Sequence, residues 1–182
     1  MEAVPRIAPI EHPKSLKLKF FFFAFKKYFG KNITPAKVLY TRVPELLGVS
    51  MKFNSIDGSI KDIEPELKLM IKYFIAQENE CHFCMDIAQK MAIKNKVGYD
   101  KFFETGNFDT SSKFTKREKV ALQYAREVNK NKKVSDVVFD QLKQHFNDKQ
   151  IVEITYMIAS ENYYNFMNIP LGIESDGLCA IN

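Results

Sequence analysis

The sequence predicts an all-α protein, and three observations carry that expectation. Apolar residues recur at helical spacing through most of the chain. Glycine and proline are sparse, seven of each in 182 residues, which disfavours a turn-rich β fold. No stretch alternates apolar and polar residues for long enough to make a half-buried strand. The length suits one domain, and 46% hydrophobic residues are enough to bury a full core.

The elements follow in order. Residues 1–14 read as an extended arm, because Pro5, Pro9 and Pro13 prevent a regular helix. Residues 15–29 read as a helix closed by Gly30. Phe20 to Phe23 coat nearly its whole circumference, so burial by the rest of the protein or by another subunit is expected. Residues 35–54 make one or two further helices, interrupted by Pro44, and Asp57-Gly58 marks a turn. Pro65 can open a helix whose stripe is Leu67, Met70, Ile71, Phe74 and Ile75. Cys84, Ile87, Ala88, Met91 and Ala92 form the stripe of the next. Thr115 and Glu118 fit a capping box, ahead of a buried face of Ala121, Tyr124, Ala125 and Val128. Ser135 caps a helix carrying Val138, Phe139 and Leu142. Asp148 is the expected cap of the last long helix, with Ile151, Ile154, Thr155 and Ile158 inward.

Composition narrows the function classes. The formal charge is +5, with lysines crowded over 14–31 and 113–133, but acidic residues interrupt the second stretch. The reading is a solvated basic surface with no nucleic-acid partner, since no helix-turn-helix, zinc-finger or RNA-binding signature is present. The apolar run Phe20 to Phe25 is too short to span a bilayer and is flanked by lysines; the reading is no membrane partner, with a membrane-surface helix over 15–29 as the alternative. Met1 to Pro13 is polar and unlike a secretory leader. Three cysteines make an odd count without a disulfide framework, which fits a reducing compartment; the expected location is cytoplasmic.

Cys81-His82-Phe83-Cys84 is the strongest chemical signal. Two cysteines three apart on a helix share a face and lie within disulfide reach. At a helix start the free N–H groups and the dipole would stabilise a thiolate. The pair can be a redox dithiol, half of a structural zinc site, or buried cysteine used as a small hydrophobe. Zinc normally takes four ligands, and no second close Cys or His pair accompanies this one. The polar neighbours Glu78, Asn79, Glu80 and His82 favour an exposed pair over an inert core one. A thioredoxin-type domain would set the pair after a strand; a helix precedes it here, so a helical redox domain is required.

Ala76, Asn79, Cys81, Cys84 and Asp86 stand in a register that resembles the redox motif of the carboxymuconolactone decarboxylase superfamily, AhpD-like (alkylhydroperoxidase) branch. Phe114-Thr115-Lys116-Arg117-Glu118 with Ala121-Leu122, the junction His145 to Thr155, and Asn162-Tyr163-Tyr164-Asn165 resemble its downstream helix openings. The likeness covers residues 35–173. It leaves 1–34 as an N-terminal arm and helix and 174–182 as a tail.

The resemblance implies an AhpD-like helical domain with an N-terminal helical extension, forming a homo-oligomer (dimer, trimer or hexamer). It also implies a thiol-dependent peroxidase or disulfide reductase in antioxidant defence. In that branch one thiolate attacks the peroxide and the other resolves the sulfenic acid as a disulfide. By resemblance Cys84 attacks and Cys81 resolves. No bound cofactor is expected; the reductant is an external dithiol of lipoyl or thioredoxin type, with a lipoyl-bearing reductase as the possible partner. Relatives with a proton relay carry a Glu twelve residues before the first cysteine and a His four after the second, where this chain has Leu69 and Ala88. Glu66, His82 and Asp86 are the candidate replacements. Glu66 qualifies because its face with Met70, Tyr73 and Gln77 could point at the thiols. Asn162 and Asn165 read as helix-packing amides and Cys179 as incidental. The alternatives are a carboxymuconolactone-type decarboxylase, whose expected His position is Ala88, and a non-catalytic oligomeric or zinc-binding helical module.

Overall fold

Eight of the fourteen residues of one helix, α3 (Pro65–Glu78), are buried, and that helix organises the molecule. Met70, Ile71, Phe74, Ile75 and Ala76 are sealed from solvent. A helix apolar on nearly every side must be surrounded, and α3 is. The computed structural model describes residues 4–95 and 99–179. In it α3 is packed by α4 (His82–Lys94), α5 (Lys116–Asn131), α7 (Asp148–Asn168) and a 3-10 segment (Tyr99–Asn107). The short helix α6 (Asp136–Lys143) closes one side against α5 and α7. Among the described residues there is no strand, and no helix is long and apolar enough to cross a membrane.

A second apolar cluster lies at the other end of the α3–α4 hairpin. It joins Phe22 of α1 (Leu16–Phe29), the π-helical turn Ala36–Tyr40 and Leu47 of α2 (Glu45–Ser59) to Ala76, Cys81, Phe83 and Cys84. Ile173 and Leu178 of the C-terminal segment belong to it as well. The cysteine pair thus sits where the N-terminal layer, the hairpin and the C-terminus meet.

The helix starts follow local chemistry. Thr115 Oγ1 accepts the Glu118 N–H, while the Glu118 carboxylate accepts the Thr115 N–H, the expected capping box. Ser135 caps α6. Helix α7 starts one residue earlier than expected: Asn147 and Gln150 form a second capping box, and Asp148 sits in the first turn, where its charge meets the positive helix end.

Three features differ from the sequence reading. Asp57-Gly58 is no turn, because α2 runs through it to Ser59. Lys72 of α3 engages the Asp57 carboxylate, which is then not free to compete for backbone groups. The segment Tyr99–Asn107, unassigned from sequence, delivers Phe102 to the core, with Phe108 just beyond its end. Phe102 meets Tyr73 edge-on and Phe108 meets Phe74 edge-on. Helix α1 buries only part of its phenylalanine run: Phe22 is covered, whereas Phe20 and Phe23 are each 67% exposed.

Phe74 is the test of this core. It is fully buried, its ring centroid lies 5.5 Å from that of Phe108, and the Arg126 guanidinium lies over both rings. Phe74→Ala is expected to lower stability by about 3–5 kcal/mol in a denaturant melt, through lost transfer energy and a cavity.

Candidate functional site

The site is built from the C-terminal end of α3 outward. Glu80 has a left-handed backbone (φ 57°). The Cys81 N–H donates to Ala76 O at 2.8 Å and the Glu80 N–H donates to Gln77 O at 3.1 Å. This six-to-one plus five-to-two pair is a Schellman motif, which satisfies carbonyls that the helix end would otherwise leave unpaired. The apolar contact that usually accompanies the motif is supplied by Ala76 and Cys81, both buried in the same cluster. Cys81 is in turn the residue that opens α4, with Met85 N–H donating to its carbonyl at 3.0 Å. One turn geometry therefore ends the first helix and starts the second on a cysteine.

Cys81 and Cys84 are closed as a disulfide, with Cα atoms 5.3 Å apart. Cys84 lies in the first turn of α4, which holds no acidic residue of its own, so the positive helix end lies at the sulfurs. The expectation of an exposed pair is corrected: Cys81 is 1% exposed and Cys84 6%. The polar neighbours that suggested exposure point elsewhere. Glu78 pairs with Lys130 and His82 with Glu174, while Asn79 turns into the protein.

Asn79, half-buried, is the hub of an amide cluster that includes Asn162 and Asn165, the two amides read from sequence as helix packing. Its Nδ2 donates to Asn165 Oδ1 at 2.8 Å and to Asn162 Oδ1 at 3.1 Å, with Asn129 Oδ1 a weaker third acceptor at 3.4 Å. Its Oδ1 accepts from Asn129 Nδ2 at 2.9 Å. Four asparagines from the end of α3, α5 and α7 thus pin the turn that precedes Cys81. Asn165 Nδ2 passes the network on to Glu161 Oε1 at 3.0 Å. Burial pushes the Glu161 carboxyl up to about 7; Lys72 and the Asn165 amide oppose that shift, and the Asp57 charge adds to it.

The candidate proton carriers are not brought together at the sulfurs. Glu66 is in the first turn of α3, roughly 18 Å along the axis from the end that leads to Cys81. It faces Lys101, which also holds Glu118. The α3 face that was expected to point at the thiols is covered by the segment 99–107, with Phe102 on Tyr73 and Thr105 Oγ1 donating to Gln77 Oε1. The His82 Nδ1 is 2.6 Å from Glu174 Oε2 on the surface. Asp86 is buried as the anchor of the C-terminal segment: its carboxylate accepts from Ser175 Oγ and from the N–H groups of Leu178 and Cys179. Leu69 and Ala88, where the resemblance places the relay positions, are both buried.

Among the described residues, a side chain that does reach a sulfur was missed from sequence. Asn168 Nδ2 donates to Cys84 Sγ at 3.5 Å, within the range for sulfur acceptors. Its position seven residues after Glu161 and three after Asn165 puts all three on one face of α7, a spacing legible in the sequence. Cys179, the remaining thiol, donates to Asp86 O at 3.3 Å. Burial and the Asp86 charge push it up to about 11, so it is a poor nucleophile near neutral pH. Among the described residues no group of three or more His, Cys, Asp or Glu side chains is arranged to hold a metal ion.

Comparison with known proteins supports the fold. No family model matches the chain. The uncharacterized protein YnjA of Escherichia coli K12 is 25% identical over 158 residues, 86% of either chain. An AhpD-type protein of unknown function from Agrobacterium tumefaciens superposes with a TM-score of 0.69 at 24% identity, covering 76% of this chain and 96% of its own. The debrominase Bmp8 superposes with a TM-score of 0.75 at 18% identity, covering 98% and 94%. Structural neighbours of the chain are AhpD-like and peroxidase-related proteins, and the chain has their all-helical fold.

Two outcomes test this geometry. Glu80→Gly is expected to stabilise the protein by about 0.5–1 kcal/mol in a thermal or denaturant melt, because glycine adopts the left-handed backbone without the Cβ penalty. Glu161 binds its proton more tightly folded than unfolded, so stability falls as pH rises from the ordinary carboxylate range to about 7 and is level above it. Glu161→Gln, measured by melts across that range, should flatten the profile and raise stability at pH 8 by up to about 3 kcal/mol.

Proposed function

We propose that the protein is a dithiol–disulfide oxidoreductase that reduces a peroxide, with Cys84 as the attacking sulfur and Cys81 as the resolving one. The observation that supports this most directly is the Cys81–Cys84 disulfide at the positive end of α4. The order of the two sulfurs is supported by the Asn168 donor on Cys84 and by the fuller burial of Cys81. The AhpD-like fold of the chain is consistent with the same chemistry.

The cycle balances as follows. The Cys84 thiolate attacks one oxygen of a hydroperoxide; the O–O bond breaks, and Cys84 becomes a sulfenic acid while the alkoxide or hydroxide leaves and takes a proton. Cys81 then displaces the sulfenic oxygen as water, forming the disulfide; the Cys81 S–H supplies the proton of one of the two leaving oxygens and solvent supplies the other. An external dithiol, lipoyl-type or thioredoxin-type, restores the pair by exchange and is itself oxidised. With Glu66, His82 and Asp86 each engaged elsewhere, the leaving oxygen takes its proton from Cys81 or from solvent, and slow turnover is expected. A homo-oligomer is part of the proposal, since Leu16, Phe20 and Phe23 leave one edge of α1 apolar and exposed.

The oxidant is what the test must assign, because the debrominase Bmp8 has the same fold. Reduced protein is mixed with one equivalent of hydrogen peroxide, an organic hydroperoxide or a brominated pyrrole, and free thiols are counted. Loss of two thiols per chain with a peroxide, abolished in Cys84→Ser and stalled at a sulfenic acid in Cys81→Ser, is the expected result. Thiols that stay reduced with peroxides defeat the proposal, and loss with the bromopyrrole alone reassigns it to dehalogenation. Peroxide turnover driven by lipoyl dithiol against thioredoxin then identifies the reductant class.

A further inference from the structure

Asn168 Oδ1 is buried and, among the described residues, has no hydrogen-bond partner, while Nδ2 of the same carboxamide donates to Cys84 Sγ. Asn168 is 2% exposed, so bulk water does not serve the orphaned acceptor. Its backbone is fixed: it is the last residue of α7, and its carbonyl accepts the Ile173 N–H at 3.1 Å. An unpaired buried carbonyl destabilises the resting protein, and an apolar residue of similar size would fill the space without that penalty. The two ends of this amide meet different needs: one serves the sulfur, and the other lies beside it with acceptor capacity unused.

We infer that Asn168 is a catalytic residue of the dithiol pair, its Nδ2 stabilising the Cys84 thiolate and its Oδ1 receiving the O–H of a hydroperoxide poised for attack. The inference about Oδ1 rests on the peroxide-reducing function proposed above; the action of Nδ2 on the sulfur does not. A donor on a thiolate favours the charged form and holds the thiol below its otherwise buried value. The substrate class that this amide selects is a hydroperoxide, which carries the proton that Oδ1 can accept; a dialkyl peroxide does not. In the attack, the electron pair of Cys84 goes to the nearer oxygen, the O–O bond breaks, and the departing alkoxide is protonated from Cys81 or solvent. Asn168 exchanges no proton.

The experiment uses full-length protein with Cys81→Ser and Cys179→Ser, so that Cys84 is the one thiol. The ultraviolet absorbance of its thiolate is followed against pH, with Asn168 intact, Asn168→Leu or Asn168→Asp. Leu is expected to weaken the thiolate by about tenfold, a pKa higher by about one, with a melting temperature equal to or above that of the parent because the orphaned carbonyl is gone. Asp, which removes the donor and adds a like charge, should raise the pKa further, and it decides the question alone if the Leu variant does not fold. A thiolate equilibrium within about twofold of the parent in the folded variant overturns the inference, whatever the melting temperature. Rates with hydrogen peroxide are then compared at a pH where Cys84 is fully ionised in each variant. A further loss of about fivefold or more in Leu supports the Oδ1 half, and equal rates overturn that half. If the parent does not react with peroxide at all, the proposed function fails, while the thiolate titration still decides whether Asn168 acts on the sulfur.

Discussion

The turn between α3 and α4 is closed by two backbone hydrogen bonds and one left-handed residue, Glu80, and the geometry of the candidate site is referred to it. A disulfide between residues three apart needs its first residue just outside a helix and its second in the first turn. The Schellman closure of α3 places Cys81 and Cys84 in those positions. The same closure sends Asn79 inward rather than to solvent, so that the end of one helix is tied to α5 and α7 by amides. A non-glycine residue persists with a left-handed backbone because these surrounding contacts over-determine it.

The polar groups buried around the pair divide into two kinds. The asparagine cluster is close to saturated: the Asn79 amide hydrogens find oxygen acceptors and its Oδ1 accepts from Asn129, which is how a polar network stabilises a single arrangement. Glu161 and Asn168 are different. One is a carboxyl held near its titration point by burial, and the other leaves an acceptor unpaired beside a reactive sulfur. Both lie on the inner face of α7. That long helix therefore contributes more than core packing, since it brings a row of polar side chains to a hairpin whose own inner surface is apolar.

The C-terminal segment is one of the elements that pack over the cysteine pair. Ile173 and Leu178 belong to the apolar cluster that contains the cysteines, and three polar attachments hold the segment down. Asp86 takes two backbone N–H groups and Ser175, His82 takes Glu174, and Asp176 accepts from the backbone and hydroxyl of Thr34. Two residues of the cysteine helix that looked like acid–base candidates are thus used to seat this cover. Asp86 and His82 are close to the sulfurs in sequence, but their side chains leave the helix toward the segment that packs over it.

Helical class, the order of the helices, the caps Thr115 and Ser135 and the redox pair were legible in the sequence, because each depends on local spacing: period 3.6 for the core faces, Thr115 with Glu118 for a capping box, thiols three positions apart. The place of Glu66, His82 and Asp86 was not legible, since each finds its partner far along the chain, in Lys101, Glu174 and Ser175. Nor was the burial of the cysteines, which comes from α1, the π-helical turn and the C-terminal segment closing over them. The sequence by itself determined that two thiols would meet at a helix start. Only the tertiary structure decided that Asn168, and none of the nearby acids or the histidine, would stand against Cys84, because that contact joins two helices separated by most of the domain.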